Sequence, residues 1–528
     1  MAKLFISDVV KDFITPISTP RRPLKILMVG TEITPYAQVG GIGRVLYFLP
    51  QALNRLGHDV RIIIPKYGKI DENKYPLEMV AEGIQVPTDA EDGKEKYLIC
   101  NVKTHKLPDG PRVYFLENME YYEKRANEYG YADDPVRFAL FCRGTLEFIR
   151  KYEQWKPNII HCNDWQTALI PQYIKTTYKN DPTLQSCHTV YTIHNLYYQG
   201  TFDHRFISEL DYDDGRSEIP SFFSDRIHKI NSMRRGILYA DIVNTVSETY
   251  AREILTSNYG EGMDGLLREV RTKLFGIING IDYEEFNPAT DKILYKNYSA
   301  SSLETRDENK AELQREFNLP INVKVPVFGI SSRLDEQKGL DLVMETVDYF
   351  LNEFDAQLII NGGGDGRYLS YFQDLEKKHP KKVATNLNYN YTIPRHIFSG
   401  ADIFLMPSKF EPCGIAQMEA MRYGSVPLVR ATGGLADSVI DFDPETNNGT
   451  GFVFQKYEGM AFFAALVRAM ETYRYKKIWQ GIVRRCMKQD FSWGESAKRY
   501  SDLYYRVVEL KRQRRSGRTH PNLSEETL

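Results

Sequence analysis

Short apolar runs alternate along the chain with longer stretches in which apolar residues return every three or four positions, the pattern of strands separated by helices. The first run, 24–30, is followed by a glycine-rich loop and then by a periodic stretch from Val45 through Leu49 to Leu56. Gly57-His58-Asp59 turns the chain into a second run at 60–65. Strands without polar alternation are covered on both faces, so this order predicts a βαβ unit of a parallel sheet. Further strands are predicted at 158–161, 189–193 and 241–246. The alternation starts afresh at 325–330 and continues at 357–360, 403–406 and 426–429.

Between the two series lies a polar stretch, 282–322, with few strand signals. The pattern therefore predicts an α/β protein of two Rossmann-like, doubly wound domains facing each other across a deep cleft. Ligands of such sheets bind at the carboxyl ends of the strands. The expected divisions are an N-terminal lead (1–23), a first domain (24–290), a linker (291–321) and a second domain (322–475). Helices at 476–512 are expected to pack back on the first domain, and a basic tail (513–528) is expected to be disordered.

Composition narrows the function classes. A chain of 528 residues exceeds one ordinary core, and a hydrophobic content of 42% suffices for two. The net charge of -2 lacks the basic footprint of a nucleic-acid binder. The six cysteines are scattered with no C-x-x-C pair, which points away from a disulfide framework or a zinc site. No apolar run reaches the length of a membrane span, and 1–22 has no signal-like apolar core. The chain reads as a soluble, cytoplasmic protein.

Candidate chemistry collects where strands end. Residues 407–424 (PSKFEPCGIAQMEAMRYG) carry Glu411 and Glu419, expected about two helical turns apart on one face, each able to hydrogen-bond sugar hydroxyls. A Thr432-Gly433-Gly434 turn follows, whose N–H groups can face an anion or a hydroxyl. Arg333 and Lys338, in SSRLDEQKG, can converge on a pyrophosphate, one as a planar fork and one as a point charge. The loop Gln38-Val39-Gly40-Gly41-Ile42-Gly43-Arg44 lets backbone approach a phosphate or sugar. Asp164 and Trp165 after one strand, and His194 and Tyr198 after the next, can contact or stack on a pyranose, while His161, Trp165 and a capping Asp164 also have plain structural readings.

In this order the segments resemble the bacterial starch and glycogen synthases, glycosyltransferase family 5 of the GT-B fold, from about residue 24 to 505. Supporting stretches are TVSETYA at 245–251, GIINGID at 276–282 and FSW at 491–493. The resemblance implies transfer of glucose from a nucleotide-glucose, usually ADP-glucose in bacteria, to the nonreducing end of an α-1,4-glucan. Configuration is retained, and neither metal nor cofactor is needed. By this analogy Arg333 and Lys338 hold the diphosphate while Gly40 and Gly41 close over it. Glu411 holds the donor glucose, and Thr432, Gly433 and Gly434 supply N–H groups. His194 contacts the transferred glucose, Asp164 orders the acceptor side, Tyr389 meets the base, and Glu419 faces the ribose, as in related retaining GT-B enzymes.

The chain departs from the family pattern at Gln38 and Arg44, where lysine and aspartate are usual, at Glu419, where many members have an aromatic, and at Asn163, where histidine is usual. Gln38 keeps hydrogen bonding without charge, and Arg44 is expected to restore positive potential at the loop. Other readings are a GT-B transferase using UDP-glucose or making a short α-glucoside, and a catalytically silent glucan-binding homologue. Product chain length separates the first from a glucan synthase; the substituted glycine loop is the feature that favours the second.

Overall fold

The computed structural model describes residues 22–91, 95–107, 110–201, 213–388 and 390–515, with side chains as far as 510. The N-terminal lead, apart from its last two residues, the tail from 516 and Tyr389 lie outside the described residues.

The first strand, β1 (Lys25–Val29), is buried at Ile26–Val29 and feeds the glycine loop and helix α1 (Ile42–Arg55). Next come β2 (Asp59–Pro65), β3 (Glu78–Pro87), β4 (Tyr97–Lys106), β5 (Arg112–Glu117), β6 (Ile159–Asn163), β7 (His188–Ile193) and β8 (Ile242–Thr245). Helix α2 (Glu248–Glu253) and the short β9 (Leu274–Gly276) complete this series. The sheet order is β3-β4-β5-β2-β1-β6-β7-β8-β9. It is parallel apart from the β3–β4–β5 edge. β1 pairs on one side with β2 and on the other with β6, so chain order reverses there, at the end of the strand that carries the glycine loop.

The second domain enters through helix α3 (Arg306–Glu316). Its strands are β10 (Val327–Ser331), β11 (Gln357–Asn361), β12 (Val383–Asn386), β13 (Ile403–Met406), β14 (Val426–Arg430) and β15 (Phe452–Phe454). They form an all-parallel sheet in the order β12-β11-β10-β13-β14-β15. Helix α4 (Ala416–Arg422) precedes β14, and α5 (Gly433–Ser438) follows it. The expected architecture of two doubly wound α/β domains is the observed one.

Two segments differ from expectation. Residues 291–321 do not form a free linker: Leu294, Tyr298, Leu303, Leu313 and Leu319 are buried in the second core. Helix 476–488 also belongs to that core, through Trp479, Ile482, Val483, Cys486 and Met487. The helix that returns to the first domain is α6 (Trp493–Arg515), which buries Trp493, Tyr500, Leu503, Tyr504 and Val507 in that domain's core.

The chain thus passes between domains twice, and the two passages run side by side. Ile281 N–H donates to Phe491 O (2.8 Å), and the Tyr283 hydroxyl donates to Gln489 O (2.8 Å). Gly280 lies so close to Trp493 that a Cβ would stand 2.6 Å from its backbone, which accounts for glycine there. Among the described residues no helix is long and apolar enough to cross a membrane.

Candidate active site

On the first domain the site is built at the carboxyl ends of β1, β6 and β7. The glycine loop is tied down by Glu32, a buried residue that the sequence reading passed over. Its carboxylate accepts from the N–H groups of Val39 (2.6 Å) and Gly40 (2.8 Å), and from the Tyr129 hydroxyl (2.7 Å). A lone Glu just past the first strand of an α/β sheet was the one available signal. Gln38 is exposed and takes a hydrogen bond from the Thr34 hydroxyl (3.0 Å); Gly40 and Gly41 are exposed.

Asp164 follows β6 with a left-handed backbone (φ 56°), uncommon for a residue with a side chain. Its carboxylate accepts from His194 N–H (2.8 Å), tying the end of β6 to that of β7. Burial, with Glu32 nearby, pushes the Asp164 carboxyl up to about 7 against the hydrogen bond from His194. The group is still partly accessible, so this is a carboxylate poised near neutrality. Burial lowers His194 to about 4, leaving its ring neutral at neutral pH. Asn163 Nδ2 is committed to the carbonyls of Val29 and His161, so its Oδ1 accepts from His194 Nε2 (3.0 Å). That places the ring proton on Nε2 and leaves Nδ1 as an acceptor.

His161 is structural, fully buried between the Tyr504 hydroxyl (2.8 Å) and the Thr192 hydroxyl (2.7 Å). Trp165 packs edge-on against Phe138 (5.1 Å), and Gly200 presses on its ring so closely that a Cβ would stand 2.3 Å away. The accessible aromatics are Tyr197 and Tyr198, 60% and 53% exposed.

On the second domain, Lys338 Nζ lies 2.7 Å from Glu411 Oε2, which also accepts from the Ser408 hydroxyl (3.2 Å). Arg333 is not drawn into this pair: it is exposed, with Nη1 3.1 Å from Asp335. Glu411 and Glu419 do not share a helical face. Pro412 and the left-handed Gly414 (φ +66°) delay the helix, so Glu411 sits in the preceding loop and Glu419 within α4.

The Thr-Gly-Gly turn differs from expectation as well. Thr432 N–H donates to Arg430 O (2.9 Å), and Gly434 N–H to the carbonyls of Glu411 (3.1 Å) and Pro412 (3.2 Å). Gly433 N–H donates to the carboxylate of Glu253 at the end of α2 (3.0 Å), which also accepts from the Thr432 hydroxyl (2.9 Å). None of the three amides is bare in this conformation. The glycines permit close backbone packing: a Cβ on Gly433 would be 1.9 Å from Glu411 O, and on Gly434 1.8 Å from Cys413 O. The turn therefore clamps the loop that presents Glu411.

Arg44 does not serve the glycine loop as a free cation. It reaches the second domain, with Nη1 3.1 Å from Glu419 Oε1 and Nη2 3.5 Å from Glu285 Oε2. Sequence reading noticed both substitutions but not that they pair. With Glu253 on Gly433 and Thr249 on Asp437 (2.6 Å), this pairing sets the two carboxyl edges face to face.

Comparisons with known proteins identify the family. Residues 25–269 match the family model described as the starch synthase catalytic domain, and 312–480 match glycosyl transferases group 1. Glycogen synthase of Thermotoga petrophila is 42% identical over 491 residues, covering 92% of this chain and 99% of that protein. Glycogen synthase 2 of Geobacter sulfurreducens is 41% identical over 498 residues, covering 93% and 100%. The catalytic domain of starch synthase IV from Arabidopsis thaliana, solved with ADP and acarbose, superposes with a TM-score of 0.79 at 33% identity, over 92% of this chain and 100% of that one. Sucrose-phosphate synthase from Thermosynechococcus elongatus shares the fold, with a TM-score of 0.55 at 17% identity over 92% and 100%. The chain belongs to the glycogen and starch synthase family of GT-B glycosyltransferases.

Proposed function

We propose that the chain transfers glucose from ADP-glucose to the nonreducing end of an α-1,4-glucan with retention of configuration. The observation that carries this reading is Lys338 held 2.7 Å from Glu411 at the carboxyl edge of the second sheet. A cation for a departing diphosphate stands directly beside a carboxylate for sugar hydroxyls. The likeness to a starch synthase solved with ADP and acarbose supports ADP-glucose and glucan as the substrate pair.

In this reading Lys338 and Arg333 neutralise the diphosphate, Arg333 swinging in from Asp335. The backbone of Gly40 and Gly41 covers the diphosphate from the first domain, with Gln38 adding an uncharged hydrogen bond. Glu411 accepts from hydroxyls of the donor glucose; Thr432, Gly433 and Gly434 act by clamping its loop. His194 Nδ1 accepts a hydroxyl of the transferred glucose, and Asp164 orders the acceptor side. Glu419 faces the ribose, and Tyr389 is assigned to the base by the family resemblance alone.

Glu411 is paired with Lys338, Glu32 holds the glycine loop, and Asp164 accepts from His194 N–H. This favours attack on the same face as departure over a covalent intermediate. The acceptor hydroxyl bonds to C1 as the C1–phosphate oxygen bond breaks, and its proton passes to the leaving phosphate. The protein supplies positioning and charge stabilisation.

The test is nucleotide release from ADP-glucose and from UDP-glucose, each with and without glycogen. Primer-dependent ADP release with chain growth is expected. Preferential UDP release would reassign the donor, and no primer-dependent release would overturn the reading. Lys338→Ala is expected to lower kcat on the order of 10²–10³-fold, as removal of a group that stabilises transition-state charge does.

A further inference from the structure

A basic residue in the first turn of a helix opposes the helix dipole, and α1 has no acidic residue there to offset Arg44. Arg44 finds its compensation on the other domain. The guanidinium bridges Glu419 and Glu285 and lies 4.9 Å from the centre of the Phe286 ring, within a core cluster of the second domain. Arg395 approaches the same ring from 4.6 Å and shares Glu285, so the notch that receives Arg44 is itself braced. A planar fork stacked on a ring and shared by two carboxylates has one orientation, which a flexible ammonium does not.

The consequence falls on Glu419. Its side chain is 10% exposed. Burial pushes its carboxyl above the usual carboxylate range, and Arg44 is the chief influence pulling it back. Arg44 occupies Oε1, whereas Oε2 has no hydrogen-bond partner among the described residues. Oε2 is thereby left open to accept from a ligand's hydroxyl group.

We propose that Arg44 is a positioning residue for the nucleotide: by binding Glu419 Oε1 from across the cleft, it fixes that carboxylate and presents Oε2 to a ribose hydroxyl. The inference rests on the assignment of Glu419 to the ribose. It gives the arginine in the glycine loop a role in recognising the sugar of the nucleotide rather than its phosphates, and it ties that recognition to the facing arrangement of the domains.

Calorimetric titration with ADP, 2′-deoxy-ADP and 3′-deoxy-ADP tests this without requiring turnover. The wild-type protein is expected to prefer ADP over one deoxy form about tenfold, the scale of one hydrogen bond to a charged group. Arg44→Ala should bring that ratio close to one while changing affinity for the disfavoured deoxy form little. Arg44→Lys should retain an intermediate preference, and Arg44→Ala added to Glu419→Gln should change the ratio no further. A ratio unchanged in Arg44→Ala, even with weaker binding of both nucleotides, makes Arg44 a domain brace only and overturns the proposal. Lack of any preference in the wild type overturns it through Glu419. Glycogen-primed transfer is scored separately, so a protein that discriminates ADP without making glucan sinks the synthase reading and leaves this one standing.

Discussion

At the scale of single residues, Asp164 carries the clearest electrostatic signature. Its folded pKa of about 7 lies above the unfolded aspartate value of about 3.9. Between these values the folded state holds a proton that the unfolded state has released, so this group makes stability fall as pH rises through the window. Asp164→Asn removes the cost while keeping an acceptor for His194 N–H. The variant's melting temperature relative to wild type is expected to rise between pH 5 and pH 8, as its glucosyl transfer falls; a difference that stays flat with pH would refute the assignment. The pairs that matter at this scale were largely invisible in the sequence. Glu32, Glu253 and the link from Arg44 to Glu419 join groups far apart along the chain, and no local pattern announces such contacts. Arg333, Lys338 and Glu411 were legible as candidates because each follows a strongly apolar strand at a site-forming edge. Their mutual geometry was not, since Arg333 turned out to lie apart from the other two.

At the scale of elements, the strands were readable because burial on both faces leaves an unbroken apolar run. Helix α3 was missed for the opposite reason. Its sequence, RDENKAELQRE, has few apolar residues, yet Arg306, Asn309, Lys310 and Gln314 are buried. Their polar groups are satisfied internally: Lys310 Nζ lies 2.6 Å from Asp402, and Gln314 donates to Gln357 (2.7 Å). A helix that docks through hydrogen bonds has no hydrophobic stripe to detect. Lys310→Ala would leave Asp402 buried without its closest cation, and loss of one partner of such a pair costs about 3–5 kcal/mol. Chemical denaturation should show that loss; a change under 1 kcal/mol would mean that Arg306, 3.7 Å from Asp402, suffices alone. The Thr-Gly-Gly turn gives a related lesson, because glycine allowed two physical uses and the close approach of loop 411–413 decided between them.

At the scale of the whole molecule, the domains meet through a few polar bridges at the cleft and through the paired chain passages. Glu253→Ala removes the carboxylate that holds Gly433 N–H and the Thr432 hydroxyl. Burial already raises its pKa against those hydrogen bonds, so it is strained toward neutrality as well as bridging. The variant is expected to melt a few degrees lower and to show raised KM for donor and glucan together, because the facing edges lose register. A fall in donor KM would instead mean that Gly433 N–H, once freed, binds the donor. The double passage has a further consequence for how the molecule comes into being. The buried residues of the second core end at Met487, whereas the first still lacks Trp493, Tyr500, Tyr504 and Val507 from α6. On a ribosome the chain emerges from its amino end, so the domain encoded later can finish folding sooner. Until α6 leaves the exit tunnel, the earlier sheet waits with part of its apolar surface uncovered, and that nascent surface is where chaperones would bind.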